Sequence, residues 1–139
     1  MYGTDLHWGD QGKLLDGYDY RFLRNFSPKP SYLISFYGLV NLGVIRQLLL
    51  HRPDAVILMS WMNPTWWLSI LTAVMLRIHI FYLTDANVQT ERDRSVLKLR
   101  IKKWLLGKFV FKLTSGFLCA GIANENLYRL YGVDERKLF

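Results

Sequence analysis

The hydrophobic pattern in the middle of the chain alternates between short apolar runs and helical spacing. Residues 54–60 form an apolar run that is typical of a strand buried on both faces of a parallel sheet. Asn63 and Pro64 favour a helix start, because Asn caps free amides and Pro is tolerated in the first turn. The pattern predicts a first strand, a helix over residues 65–77 and a second strand over residues 78–84.

Further elements are predicted on both sides of this unit. Residues 18–25 alternate apolar and charged positions, which predicts a strand near a sheet edge. Residues 38–51 carry Leu and Ile at helical spacing and predict a helix. We further predict a helix over residues 90–113, a strand over 117–120 and a helix over 124–131. Alternating strands and helices predict an α/β domain with a mostly parallel sheet and helices on both faces.

Composition limits the chain to a single domain. With 139 residues, 51% of them hydrophobic and 15% aromatic, the chain can bury a core and is not of the disordered class. The net charge of +7 indicates contact with anionic surfaces. Cys119 is the single cysteine, so no internal disulfide forms and a reducing, cytoplasmic compartment is expected. Residues 1–19 lack the basic start and apolar run of a signal peptide.

Polar residues follow each of the two central strands. A parallel sheet places ligands at the carboxyl ends of its strands. Ser60, Trp61 and Asn63 follow the first strand, and Asp85 and Asn87 follow the second, so we expect one shared rim. Asp85 is a candidate general base or an acceptor for a ligand hydroxyl, and capping of the next loop is an equal alternative. Catalytic signature motifs are missing and the three His are scattered, so no metal site is expected.

The predicted helix over residues 90–113 interleaves basic residues with apolar ones. A solvated face is the commonest explanation, and attraction to anionic lipid comes next because apolar side chains flank the charges. Nucleic-acid binding is not expected, since no recognition module accompanies the charge. The residues assigned to a membrane surface are Lys98, Arg100, Lys102, Lys103, Trp104 and Lys108.

Residues 64–84 are also long enough to span a bilayer, with Arg77 as their one full charge. Arg77 and His79 lie inside this segment, where an Arg costs roughly 2.5–3.5 kcal/mol on insertion scales. The β-branched and aromatic residues after Arg77 also favour a strand. We therefore favour the buried strand, helix and strand, and keep a small membrane-anchored or membrane-surface protein without enzymatic activity as the alternative.

Three segments of the chain resemble glycosyltransferase family 4. Residues 117–139, FLCAGIANENLYRLYGVDERKLF, resemble the end of that family's amino-terminal domain, where a strand, a glycine, a helix and a Tyr-Gly-Val phrase precede the interdomain linker. Residues 14–25, LLDGYDYRFLRN, look like the family's segment with Gly-Tyr and Phe-Leu. Residues 52–58, RPDAVIL, look like its Pro-Asp strand. The segments follow the family's order.

The resemblance implies half of a GT-B fold, in which two Rossmann-like domains face each other across a cleft. Residues 1–139 would form the acceptor-side domain of an enzyme that moves a hexosyl group from a nucleotide sugar to a glycan or lipid-linked acceptor. We expect a partial chain that is inactive alone, because the family's glycine-rich loop is not found before Gly17 and the carboxyl-terminal domain is missing. No cofactor is expected in this chain, and a nucleotide-sugar donor is expected for the complete enzyme.

Few functional residues carry over from the family. Asp85 matches a polar or acidic position that faces the acceptor cleft, and it is the catalytic candidate. Ser60 and Trp61 stand where many relatives have His. The family's frequent attachment to membranes implies a peripheral position on the cytoplasmic face for the basic helix. The acceptor-binding candidates are Ser60, Trp61, Asn63, Asn87 and Asn124.

Overall fold

A computed structural model of the chain describes residues 16–30, 36–60, 62–84, 104 and 106–139. In chain order, the elements are a 3-10 turn at Phe36–Gly38, α1 at Gly43–His51, β1 at Ala55–Leu58, α2 at Pro64–Leu76, β2 at His79–Thr84, a π-helical turn at Leu106–Val110, α3 at Phe111–Leu113, β3 at Gly116–Cys119, α4 at Ile122–Leu130 and a 3-10 turn at Glu135–Lys137.

The three strands form one parallel sheet in the order β1, β2, β3. Leu58, Tyr82 and Phe117 lie side by side across it, one from each strand. Parallel neighbours need a crossover connection, and α2 is the crossover between β1 and β2. The structure therefore confirms the predicted α/β, Rossmann-like arrangement of a parallel sheet with helices around it.

The boundaries of α2 follow from its terminal residues. Asn63 occupies the N-cap position with an extended backbone, and Pro64 fills the first helical position. The Asn63 side chain makes no capping hydrogen bond, so that detail of the prediction is wrong. The Thr65 N–H instead donates to the Leu39 carbonyl at 3.4 Å. Arg77 ends the helix with a left-handed φ of 58°.

The core is built on the sheet face that carries Tyr82 and Phe117. The ring of Phe117 lies 6.1 Å from Tyr82, 5.0 Å from Phe111 of α3 and 4.7 Å from Tyr128 of α4, measured between centroids. Both helices therefore dock on β2 and β3 through aromatic rings, which bury large apolar areas. The buried cluster consists of Leu48, Leu58, Ile70, Ala73, Ile78, Ile80, Tyr82, Leu106, Val110, Phe111, Phe117, Leu127, Tyr128, Tyr131 and Val133.

The last residues of the chain join the sheet, which was not predicted from the sequence. Leu138 forms a parallel bridge with Phe117. The Phe139 N–H donates to the Phe117 carbonyl at 2.9 Å, and the Cys119 N–H donates to the Phe139 carbonyl at 2.8 Å. The outer edge of β3 is thereby paired, which satisfies backbone groups that an open edge leaves exposed.

Two sequence predictions about the flanking segments need correction. Residues 18–25 do not form a strand, and their aromatic side chains are exposed, Tyr18 to 73% and Phe22 to 82%. The alternation there does not mark a buried face. The helix predicted over residues 38–51 begins only at Gly43. Its first predicted turn does not form, and the Asn41 N–H there donates to the Thr65 hydroxyl at 2.9 Å.

The helix predicted over residues 90–113 falls mostly outside the described residues, and its end at Leu113 in α3 agrees with the prediction. Residues 64–84, weighed as a membrane span, divide into α2, a turn at Arg77 and β2. Within the described ranges, no helix combines the length and the apolar character needed to cross a membrane.

The Lys137 side chain links the last residues of the chain to the end of α3 through hydrogen bonds. Its Nζ donates to the carbonyl oxygens of Phe111 at 3.3 Å, Lys112 at 3.3 Å and Thr114 at 2.6 Å. Carbonyls at the end of a helix lack partners within the helix, and a cation there is favourable. One ammonium group therefore both caps α3 and holds the turn that precedes the pairing of Leu138.

We predict that Lys137→Met lowers the free energy of unfolding by about 1.5–3 kcal/mol, because charge-assisted hydrogen bonds to the carbonyls are lost while the side-chain stem is kept. Lys112→Met is the matched control, since the Lys112 side chain is exposed, and its expected effect is within about 0.5 kcal/mol. Urea denaturation followed by circular dichroism measures both. Equal losses in the two variants would contradict the capping role.

Candidate functional site

The carboxyl ends of the three strands surround a depression of about 330 Å³. The described residues that line this depression are Met59, Leu83, Thr84 and Ala120. Met59 follows β1, Leu83 and Thr84 end β2, and Ala120 follows β3. Because the strands are parallel, their carboxyl ends lie at one edge of the sheet, where ligands bind in open α/β folds. We call this feature the carboxyl-edge depression.

The β1 side of the rim is formed by a turn and the start of α2. The Ser60 Oγ accepts a hydrogen bond from the Met62 N–H at 3.0 Å, which fixes this turn. Asn63 is 4% exposed, and its Oδ1 has no hydrogen-bond partner among the described residues. The N–H groups of Thr65 and Trp66 donate to protein carbonyls. The Thr65 and Trp66 amides are therefore already used within the protein, and the Asn63 Oδ1 is buried.

The β3 side of the rim is braced by Asn124, which is 4% exposed. Its Oδ1 accepts a hydrogen bond from the Ala120 N–H at 3.3 Å, and its own N–H donates to the Gly121 carbonyl at 3.0 Å. These bonds close the turn between β3 and α4. Asn124 therefore positions the backbone that lines the depression.

Two buried tyrosines lie beneath this edge. Tyr82 and Tyr128 are both fully buried, and burial raises the pKa of each phenol. The pKa of Tyr128 reaches about 12, although Asn124 and the backbone of Thr84 lie beside its phenol and oppose the rise. Both phenols are therefore neutral at physiological pH. They support the rim as core residues and do not act as bases.

The Cys119 thiol is partly buried. Burial, and then the carboxylate of Glu125, raise the pKa of this thiol above its ordinary value. The reactive form of Cys is the thiolate, so a raised pKa disfavours a nucleophilic role. Across the described segments, His, Cys, Asp and Glu side chains do not gather in a group that could hold a metal ion.

The structure brings three of the predicted site residues to the carboxyl edge: Ser60, Asn63 and Asn124. Their role in acceptor binding stays a prediction. The sequence did not single out Met59, Leu83 or Ala120, although each lies at the end of a predicted strand and could have been found there. The other candidates lie outside the described residues, namely Trp61, Asp85, Asn87, Lys98, Arg100, Lys102, Lys103 and the side chain of Lys108.

Comparison of the chain with protein-family models, with curated proteins and with solved structures finds no match in any of the three. The function is therefore inferred from the residues that resemble a family and from the geometry of the carboxyl edge. That geometry offers an open depression between two polar turns, and the described residues that line it are uncharged.

We predict that Asn124→Ala lowers the free energy of unfolding by about 1–3 kcal/mol, because the Ala120 N–H loses its acceptor. Asn126→Ala is the control on the same helix, where the side chain is exposed and the expected change is within about 0.5 kcal/mol. Thermal or urea unfolding measures both. If Asn124→Ala costs no more than the control, Asn124 does not brace this turn.

Proposed function

We propose that the chain is the acceptor-side domain of a GT-B glycosyltransferase and transfers sugar only together with a domain that binds the nucleotide sugar. The resemblance of three segments to family 4 and the parallel α/β sheet support this proposal. The single observation that carries it is the depression of about 330 Å³ at the carboxyl ends of the strands, which falls in the size range of small-ligand pockets.

The chemistry of this depression suits a glycan acceptor better than a nucleotide. Its described lining residues are Met59, Leu83, Thr84 and Ala120, and all four are uncharged. Nucleotide diphosphates are bound by cations or by free amides at helix starts, and the first amides of α2 already donate to carbonyls. The exposed Met59 and the half-buried Leu83 offer apolar contact to the C–H face of a sugar ring.

The rim supplies polar partners for hydroxyl groups. Thr84 ends the central strand and is one of the described residues that line the depression. Asp85 directly follows Thr84 and remains our candidate for accepting the proton or the hydrogen bond of the reacting acceptor hydroxyl. In this proposal the chain positions the acceptor, and the donor's sugar comes from the facing domain.

We predict that neutral saccharides, and not nucleotide sugars, bind at the carboxyl-edge depression. Titration of the ¹⁵N-labelled chain with lactose, maltose and chitobiose should shift the amides of Met59, Leu83, Thr84 and Ala120 for at least one sugar, while UDP-glucose should leave them unchanged. The chain by itself should show no transfer from radiolabelled UDP-glucose. Nucleotide-sugar shifts at this edge, absence of any saccharide shift, or turnover by the isolated chain contradicts the proposal.

Two substitutions make this test specific. Met59→Lys should weaken saccharide binding about tenfold, because a hydrated ammonium replaces an apolar contact of about 1.4 kcal/mol. Met75→Lys is the matched control, since Met75 is 83% exposed near the other end of α2. Both methionines are exposed, so neither change should unfold the chain.

We propose as a second, compatible function that α3 and the residues before it, described at 104 and 106–110, attach the domain to an anionic membrane surface. Trp104 is 55% and Phe109 51% exposed, and their rings meet edge to face at 5.6 Å between centroids. Leu113 is 48% exposed, and Lys112 is exposed beside it. Exposed aromatic and apolar side chains next to basic ones favour the interface of an anionic bilayer.

We predict that the chain sediments with vesicles containing about one quarter phosphatidylserine but not with pure phosphatidylcholine vesicles, and that about 0.5 M salt releases it. The double variant Trp104→Ser, Phe109→Ser should lower vesicle binding at least about tenfold. The control is Tyr18→Ser, Phe22→Ser, because both side chains are highly exposed. Equal loss in the two double variants, or binding insensitive to lipid charge, contradicts this attachment.

A further inference from the structure

A second cavity, of about 430 Å³, is lined by Ser27, Pro28, Lys29, Tyr37 and Val40. None of these described lining residues belongs to the carboxyl-edge depression. The Tyr37 side chain is 66% exposed, and Lys29 is exposed as well. The cavity therefore presents an aromatic ring and a cation to solvent at a site outside the one already described.

The two walls of this cavity are held together by one side chain. The Asn25 Oδ1 accepts hydrogen bonds from the Ser27 N–H at 3.0 Å and from the Val40 N–H at 2.9 Å, and its Nδ2 donates to the Gly38 carbonyl at 2.9 Å. The Phe26 N–H also donates to the Val40 carbonyl at 2.9 Å. The walls are therefore fixed before any ligand arrives, which lowers the entropic cost of binding.

The side chains on these walls have complementary chemistry. Tyr37 packs edge to face against Phe36 at 5.1 Å, which restricts the orientation of its ring. Tyr37, Pro28 and Val40 give the cavity an apolar surface that matches the C–H face of a sugar ring. The Ser27 Oγ accepts a hydrogen bond from the Lys29 backbone N–H at 3.1 Å, and its hydroxyl can also donate one hydrogen bond.

We propose that this cavity binds an acidic saccharide, whose ring stacks on Tyr37 while its anionic group pairs with the Lys29 ammonium. Lys29 forms no ion pair with a described residue, so its charge is available to a ligand. Among the described lining residues, one aromatic ring and one cation fit one sugar unit, whereas single-stranded nucleic acid requires a charged groove with successive stacking rings. This inference does not depend on the glycosyltransferase proposal.

The test compares two oligosaccharides of equal length by ¹⁵N NMR titration of the full chain. The probes are hyaluronan tetrasaccharide, which carries carboxylates, and chitotetraose, which is neutral. The acidic probe should shift the amides of Ser27, Lys29 and Val40 and should bind about fivefold more tightly than the neutral probe, in line with an exposed ion pair. A thymidine tetranucleotide is the nucleic-acid probe and should bind more weakly than hyaluronan.

Substitutions separate the two parts of the proposal. Tyr37→Ala should weaken both saccharides at least about tenfold, and Tyr37→Phe should keep the affinity of both, because the stacking ring is retained. Lys29→Gln should make the two affinities equal, and Lys29→Arg should restore the preference for the acidic probe. Tyr20→Ala is the control, since Tyr20 is 52% exposed and lies outside the cavity lining. Circular dichroism verifies that each variant folds.

Several results overturn the proposal. They are the absence of shifts at residues 27–29 and 40, equal effects of Tyr37→Ala and Tyr20→Ala, no change with Lys29→Gln, and tighter binding of the tetranucleotide. Shifts confined to Met59, Leu83, Thr84 and Ala120 would remove this cavity as a saccharide site while leaving the proposed acceptor function intact. Shifts confined to the amides of Ser27, Lys29 and Val40 would support this cavity as a saccharide site and would contradict saccharide binding at the carboxyl-edge depression.

Discussion

The packing of Phe117 against Tyr82, Phe111 and Tyr128 is the interaction on which the rest of the structure depends. It joins two strands and two helices through four rings, each of which buries roughly 150–250 Å². The Phe117 backbone also accepts the hydrogen bond from Phe139, so the same residue anchors the core and the end of the chain. The carboxyl edge keeps its shape because this aromatic cluster lies directly beneath it.

The carboxyl edge combines positions that are far apart along the chain. Parallel pairing brings Met59, Thr84 and Ala120 together, and the short turns after β1 and β3 are closed by Ser60 and Asn124. Ser60 and Asn124 are used for local bracing, and the described residues that line the depression are uncharged. This is the reason for proposing a neutral glycan rather than a phosphate as its ligand.

Charge is distributed unevenly over the proposed sites. The chain has a net charge of +7, yet the described residues that line the carboxyl-edge depression are uncharged. Lys29 lies at the second cavity, and Lys112 lies in α3. The three proposed roles, which are acceptor binding, contact with an acidic saccharide and attachment to an anionic surface, would therefore use separate surfaces.

Local sequence was enough to predict α2, β2 and the α/β class, because a proline at a helix start and apolar periodicity act within a few residues. Features that depend on distant partners could not be predicted in this way. The Asn25 side chain bonds to Gly38 and Val40, 13 and 15 residues away, at the end of the segment for which a strand was predicted over residues 18–25. Phe139 likewise pairs with the backbone of β3, and the Asn124 side chain accepts from the Ala120 N–H. No local sequence pattern specifies where these backbone groups lie.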